Sequence, residues 1–190
     1  PDLSDQECAD TDFGTYTQDE FYDDMARITQ YRVDPDMVEI LVTKSYETVS
    51  WMRTKGIRFA PIWGRQAFKI DGKFKFWGGL TVEAVGGGPG LTDGLMKALK
   101  ENGVDFLYGA RALSLIFDGI SVNGVKMRRN DEIIDIAAKS VVLASGGFQA
   151  NTEMRTRYLG PGWELAKIRG TRFNTGDGIK MALDAGAMPW

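Results

Sequence analysis

The sequence predicts an α/β fold, and three observations carry that reading. Val141, Val142, Leu143 and Ala144 form a short apolar run that stops at Ser145-Gly146-Gly147. Such a run suits a strand buried on both faces, and strands of that kind lie mostly in parallel sheets. Upstream of it, residues 104–137 read as a run of short antiparallel strands, with Asp118-Gly119 and Asn123-Gly124 supplying turn or bulge chemistry. Helical segments with clear start and stop signals flank both regions. The 190 residues suffice for one domain with a subdomain.

The elements follow in order. Thr17 or Asp19 can cap a helix reaching about Ile28, with Asp19 and Glu20 in its first turn, where the helix dipole favours them. Asp34-Pro35 is an N-cap followed by proline at the first helical position. The helix it opens runs from Pro35 to about Lys55. Val38, Leu41, Val42, Ser45, Val49 and Met52 recur on one face as core, and Gly56 closes it. Residues 57–85 read as short strands and loops. Asp71-Gly72 joins Ala67–Ile70 to Lys73–Phe76 as a hairpin, with Phe74 and Phe76 on one face and Lys73 and Lys75 on the other.

Glycines then cluster at Gly78-Gly79 and at Gly86 to Gly90, after a strand expected over Leu80–Val85. A helix from Leu91 to Asn102 follows, closed by Gly103. Strands are expected at Val104–Tyr108, Ala110–Phe117, Ser121–Arg129 and Glu132–Ala137, leading into Lys139–Ala144. A helix begins near Asn151 or Thr152, and the last runs from Asp177 to Ala185.

Composition removes several function classes. A net charge of −3 argues against nucleic acid or an anionic membrane surface as partner. No apolar run approaches the ~18 residues that span a bilayer. Histidine is absent, which removes Ser-His and Cys-His nucleophilic machinery and most zinc sites from these residues. Cys8 is the only cysteine, so no intrachain disulfide forms, and a reducing, cytoplasmic setting is expected.

Three glycine-rich places could carry chemistry. Gly86 to Gly90 precedes a helix, whose free N–H groups could hold an anion; a flexible loop is the plainer reading. It is not the dinucleotide fingerprint, since G-x-G-x-x-G would need glycine at Leu91 or Asp93, and no Gly-Lys-Ser/Thr follows to make a P-loop. Ser145-Gly146-Gly147 either lets a ligand approach the main chain or makes a tight turn. Asn174-Thr175-Gly176-Asp177-Gly178 opens the last helix, where Asp177 either caps the helix or accepts hydrogen bonds from ligand hydroxyls. Arg65 and Lys75 are the local candidates for holding a substrate carboxylate, against simple surface charge.

KSVVLASGGFQANTEM followed by NTGDGIKMALDAGA resembles the flavoprotein subunit family of fumarate reductases and succinate dehydrogenases. SYETVSWMRTKGIRF, GRQAFKIDGKFKFWGG and GGGPGL look most like its tricarballylate dehydrogenase-like members. The resemblance covers nearly the whole chain, and the spaced pair of ASGGF and TGDG is its most specific part. It implies a partial FAD-binding domain of glutathione-reductase-like, Rossmann-type topology, with an antiparallel strand layer and flanking helices. The whole of 1–190 would be an internal part of that domain: a helical segment 1–60, a glycine-rich and antiparallel segment 61–137, and a return strand with terminal helices 138–190.

The resemblance also implies site residues. Ala112, at the strand start Arg111-Ala112, would present main-chain groups to the adenine of FAD. Ala144, Ser145, Gly146 and Gly147 would lie against the cofactor, as would Thr175, Gly176 and Asp177 of TGDG. Gly78 to Gly90 would pass near the flavin ring. The unit carrying G-x-G-x-x-G is expected upstream of Pro1. A substrate-clamping domain with histidines and a proton-donating arginine is expected beyond Trp190. The full enzyme would then move a hydride between flavin and a small carboxylic acid, with its electron partner unassigned and no catalytic residue inside this chain. A nicotinamide-linked Rossmann oxidoreductase and a non-catalytic ligand-binding module are the alternatives.

Overall fold

The computed structural model describes residues 3–188. They form two compact units, one ending at Asp105 and the other starting at Phe106.

The first unit opens with α1 (Asp5–Ala9), which Ser4-x-x-Glu7 signals as a capping box. Ser4 Oγ accepts from the Glu7 amide while the Glu7 carboxylate accepts from the Ser4 amide, and these bonds hold that carboxyl below its ordinary range. Next come β1 (Thr11–Asp12) and α2 (Gln18–Ile28), the latter capped by the same device between Thr17 and Glu20. The helix expected from Asp34-Pro35 is α3 (Pro35–Thr54), with Asp34 accepting from the amides of Asp36 and Met37. Gly56 takes φ +89° beyond it, and the Ile57 amide returns to the Met52 carbonyl. Its stripe is narrower than expected: Val38 and Val42 are buried, whereas Leu41 and Val49 stay exposed.

After α3 come β2 (Phe59–Pro61), a single turn α4 (Trp63–Gln66), β3 (Ala67–Ile70), β4 (Lys73–Phe76) and β5 (Val82–Ala84). β2 pairs antiparallel with β5, and β4 lies between an antiparallel β3 and a parallel β1. The Asp71-Gly72 turn has left-handed φ at both residues, +50° and +83°, as the two-residue hairpin requires. Trp63 meets Phe74 and Phe76 at 5.1 and 5.3 Å between ring centroids, so both aromatics do share one face.

The helix expected from Leu91 starts one turn earlier, as α5 (Gly87–Glu101). Gly86 turns into it at φ +84°, and Pro89 is tolerated in the first turn, where an amide has no intrahelical partner. A Cβ on Gly94 would lie 2.5 Å from Ile57 Cδ1, so glycine there lets α5 rest directly on the buried Ile57.

The strand expected at Val104–Tyr108 does not form. Gly103, at φ +72°, ends α5, and the Val104 amide is spent on the Leu99 carbonyl. The second unit's sheet has the order β6 (Ala110–Phe117), β7 (Val122–Arg129), β8 (Glu132–Ala137), all antiparallel. Asp118 turns the chain between β6 and β7 by accepting from the amides of Ser121 and Ile120, which hold its carboxyl below the ordinary range.

The run Val141–Ala144 is a second correction. It belongs to no described helix or strand, and Val142 is 89% exposed. A strand buried on both faces needs a hydrogen-bonded neighbour on each edge, and none of the described strands supplies one. Downstream are α6 (Thr152–Leu159), a 3-10 turn (Trp163–Leu165) and α7 (Asp177–Asp184). Met181 of α7 is buried, as is Met127 of β7. Among the described residues, no helix is long and apolar enough to cross a membrane.

Candidate functional site

Two loops of the second unit are laced together. The Gly176 amide donates to the Gly147 carbonyl at 3.1 Å, and the Ala150 amide donates to the Asn174 carbonyl at 2.9 Å. Asn151 Nδ2 adds a bond to the Thr175 carbonyl at 3.0 Å, while its Oδ1 caps α6 through the Met154 amide. The glycines permit this proximity. A Cβ on Gly146 (φ +75°) would lie 3.0 Å from Asn174 Oδ1, and one on Gly176 (φ +78°) would meet the Met154 sulfur and Phe148 Cβ.

Arg155 ties the same loop down from α6. It is 4% exposed, and its guanidinium donates to the carbonyls of Gln149 and Glu164. Its Nε has no hydrogen-bond partner. The Glu164 carboxyl is held below its ordinary range by its own amide, the Gly162 amide, the Thr156 hydroxyl and the nearby Arg155 charge.

Beside these loops lies a cavity of about 650 Å³ lined by the start of β6, Ser145, Phe173, Thr175, Asp177 and Met181. Of the residues singled out in the sequence, Ala112, Ser145, Thr175 and Asp177 reach its wall. Gly146, Gly147 and Gly176 form the loop crossing that supports the wall, and Ala144 precedes Ser145 without lining it. Asp177 does not cap α7. Gly176 is the N-cap, with no side-chain bond to the helix, and Asp177 Oδ2 instead accepts from Arg111 Nη2 at 3.0 Å. Both side chains remain partly open to solvent.

Sequence reasoning missed the side chains of Arg111 and Phe173. Nothing local pairs Arg111 with a carboxylate 66 positions away. The other candidates are occupied with their own surface. Arg65 pairs with Glu83 at 2.8 Å, and Lys75 lies 3.5 Å from Asp12. At the start of α5, Gly86 and Gly90 serve packing: a Cβ on Gly90 would lie 1.9 Å from the Val85 carbonyl oxygen.

Comparison with known proteins bears on this geometry. A family model described as FAD binding domain matches residues 9–189. A probable fumarate reductase of Shewanella frigidimarina is 30% identical over 169 residues, which is 88% of this chain and 28% of that protein. An NADH:acrylate oxidoreductase of Vibrio harveyi is 33% identical over 80% of this chain and 15% of its own length. The open conformation of a flavocytochrome c3 fumarate reductase superposes with a TM-score of 0.74 at 29% identity, covering 90% of this chain and 30% of that one. A 3-ketosteroid dehydrogenase of Rhodococcus jostii, at 22% identity and a TM-score of 0.58, shares the fold over 82% of this chain and 38% of that one. The chain thus spans less than a third of the length of the curated relatives cited.

Proposed function

The chain belongs to the FAD binding domain family, and we propose that the cavity bounded by Ala112, Ser145, Thr175 and Asp177 holds the adenosine end of the cofactor. Its residues fit that group. The Asp177 carboxylate can accept from ribose hydroxyls, and Arg111 keeps that carboxylate oriented. β6 is an edge strand with no described neighbour on its outer side, so its main chain offers donors and acceptors to a base. A cavity of about 650 Å³ is of the size that small-molecule sites have.

Bound FAD supplies the hydride chemistry, and the protein's part is to hold and orient it. In this chain that part falls to the loop crossing of Gly146-Gly147 with Thr175-Gly176, braced by Asn151 and Arg155. The complete polypeptide is an oxidoreductase that moves a hydride between FAD and a small carboxylic acid. Fumarate and acrylate, named for two relatives, are both unsaturated carboxylates. A tricarballylate-type acid is the narrower substrate reading, resting on the sequence segments that resemble that group. The residues form an internal part of the FAD-binding domain. The pyrophosphate-binding and substrate-clamping units belong elsewhere in the same polypeptide, and the compartment is the cytoplasm.

The observation that carries this reading is the convergence of four sequence-selected residues on one cavity in a chain of this family. The test is the complete polypeptide from the natural gene. It should purify yellow and release FAD on denaturation, and its reduced flavin should be reoxidised by an unsaturated carboxylate. A colourless protein that takes up no added FAD would overturn the proposal.

A further inference from the structure

Phe173 stands at the cavity wall with 74% of its surface exposed, and among the described residues it is the only aromatic one lining the cavity. Its main chain is tied down on both sides. The Phe173 amide donates to Thr171 Oγ1 at 3.2 Å, and its carbonyl accepts from the Thr175 amide at 2.9 Å. The Arg172 guanidinium lies over its ring, 5.0 Å from the centroid. A phenyl ring carried on a hydrogen-bonded loop and left in water beside a ligand cavity is placed to cover an aromatic ligand group.

The cavity also offers what the rim of such a group would need. The outer edge of β6 at Ala110 to Ala112 carries main-chain donors and acceptors, and Asp177 with Arg111 supplies a polar corner for hydroxyls. A flat base with a hydrogen-bonding edge, joined to a sugar, matches all three features. Resting on the cofactor assignment above, we propose that the Phe173 ring is the stacking platform for the adenine of FAD, making Phe173 a specificity-determining residue for FAD over shorter flavins.

The experiment compares FAD with FMN, which lacks the adenosine, on the flavin-free form of the complete polypeptide, by quenching of flavin fluorescence. Phe173→Ala should weaken FAD binding roughly tenfold to a hundredfold, the range that loss of one base–aromatic stack gives. FMN binding should not change, and Phe173→Tyr should restore the FAD affinity. Phe173→Leu keeps apolar bulk without a π face, so it should behave like the alanine variant and guards against a mere loop effect. Equal losses for FAD and FMN, or unchanged FAD affinity, would overturn the stacking role. A wild-type protein that binds neither flavin would instead overturn the cofactor assignment itself.

Discussion

The glycine-rich start of α5 and the paired loops before α6 and α7 use the same residue for different ends. In the first, Gly86 and Gly90 bring backbone onto backbone, with Gly90 against the Val85 carbonyl. In the second, Gly146, Gly147 and Gly176 bring two loops together under a cavity whose wall carries Asp177, Arg111 and Ser145. Glycine alone therefore marks close approach. A binding role needs polar groups that remain available once the approach is made.

The largest expected effects test the glycines themselves. Gly90→Ala should cost about 3 kcal/mol of stability, since its methyl group meets a main-chain oxygen that cannot swing away. Gly176→Ala should cost about 2–3 kcal/mol, from left-handed strain and crowding of Met154 and Phe148. Denaturant unfolding measures both. Only Gly176→Ala should also lower FAD affinity per folded molecule, and a matching loss from Gly90→Ala would break the comparison.

Asp177→Ala should come next, weakening FAD binding by about 2 kcal/mol, as loss of a hydrogen bond to a charged group does. Its unfolding midpoint should move little. The side chain does not cap α7, and its ion pair with Arg111 is partly exposed, worth no more than about 1 kcal/mol. A normal FAD dissociation constant in this variant would remove Asp177 from the site.

The smallest effect belongs to the first unit. Arg65→Ala breaks an exposed pair with Glu83 and should change stability by about 0.5 kcal/mol or less. Substrate KM should be unaffected, because Arg65 is engaged with its own surface. A large rise in KM would return Arg65 to the role of carboxylate holder.

How far the sequence could be read depended on the range of the interactions involved. α2, α3, the Asp71-Gly72 hairpin, β6 and β8 match their expected spans closely because caps, proline positions and turn glycines act within a few residues. α1 carries the same kind of signal, in the Ser4 and Glu7 capping box. Val104–Tyr108 and Val141–Ala144 failed for the opposite reason. Apolar composition makes a segment fit for a strand, but a partner edge makes it one.

The amino-acid sequence by itself determined the local elements, the glycine positions where chains come close, and the family to which the chain belongs. Tertiary structure alone decided that Asp177 turns from its own helix to Arg111, that Arg155 is buried to brace the Gln149 loop, and that Phe173 stands exposed beside a cavity. The physical reason is distance along the chain. A cap or a turn is settled by neighbours three or four residues away, whereas an ion pair across 66 positions exists only after the sheet and the last helix have packed.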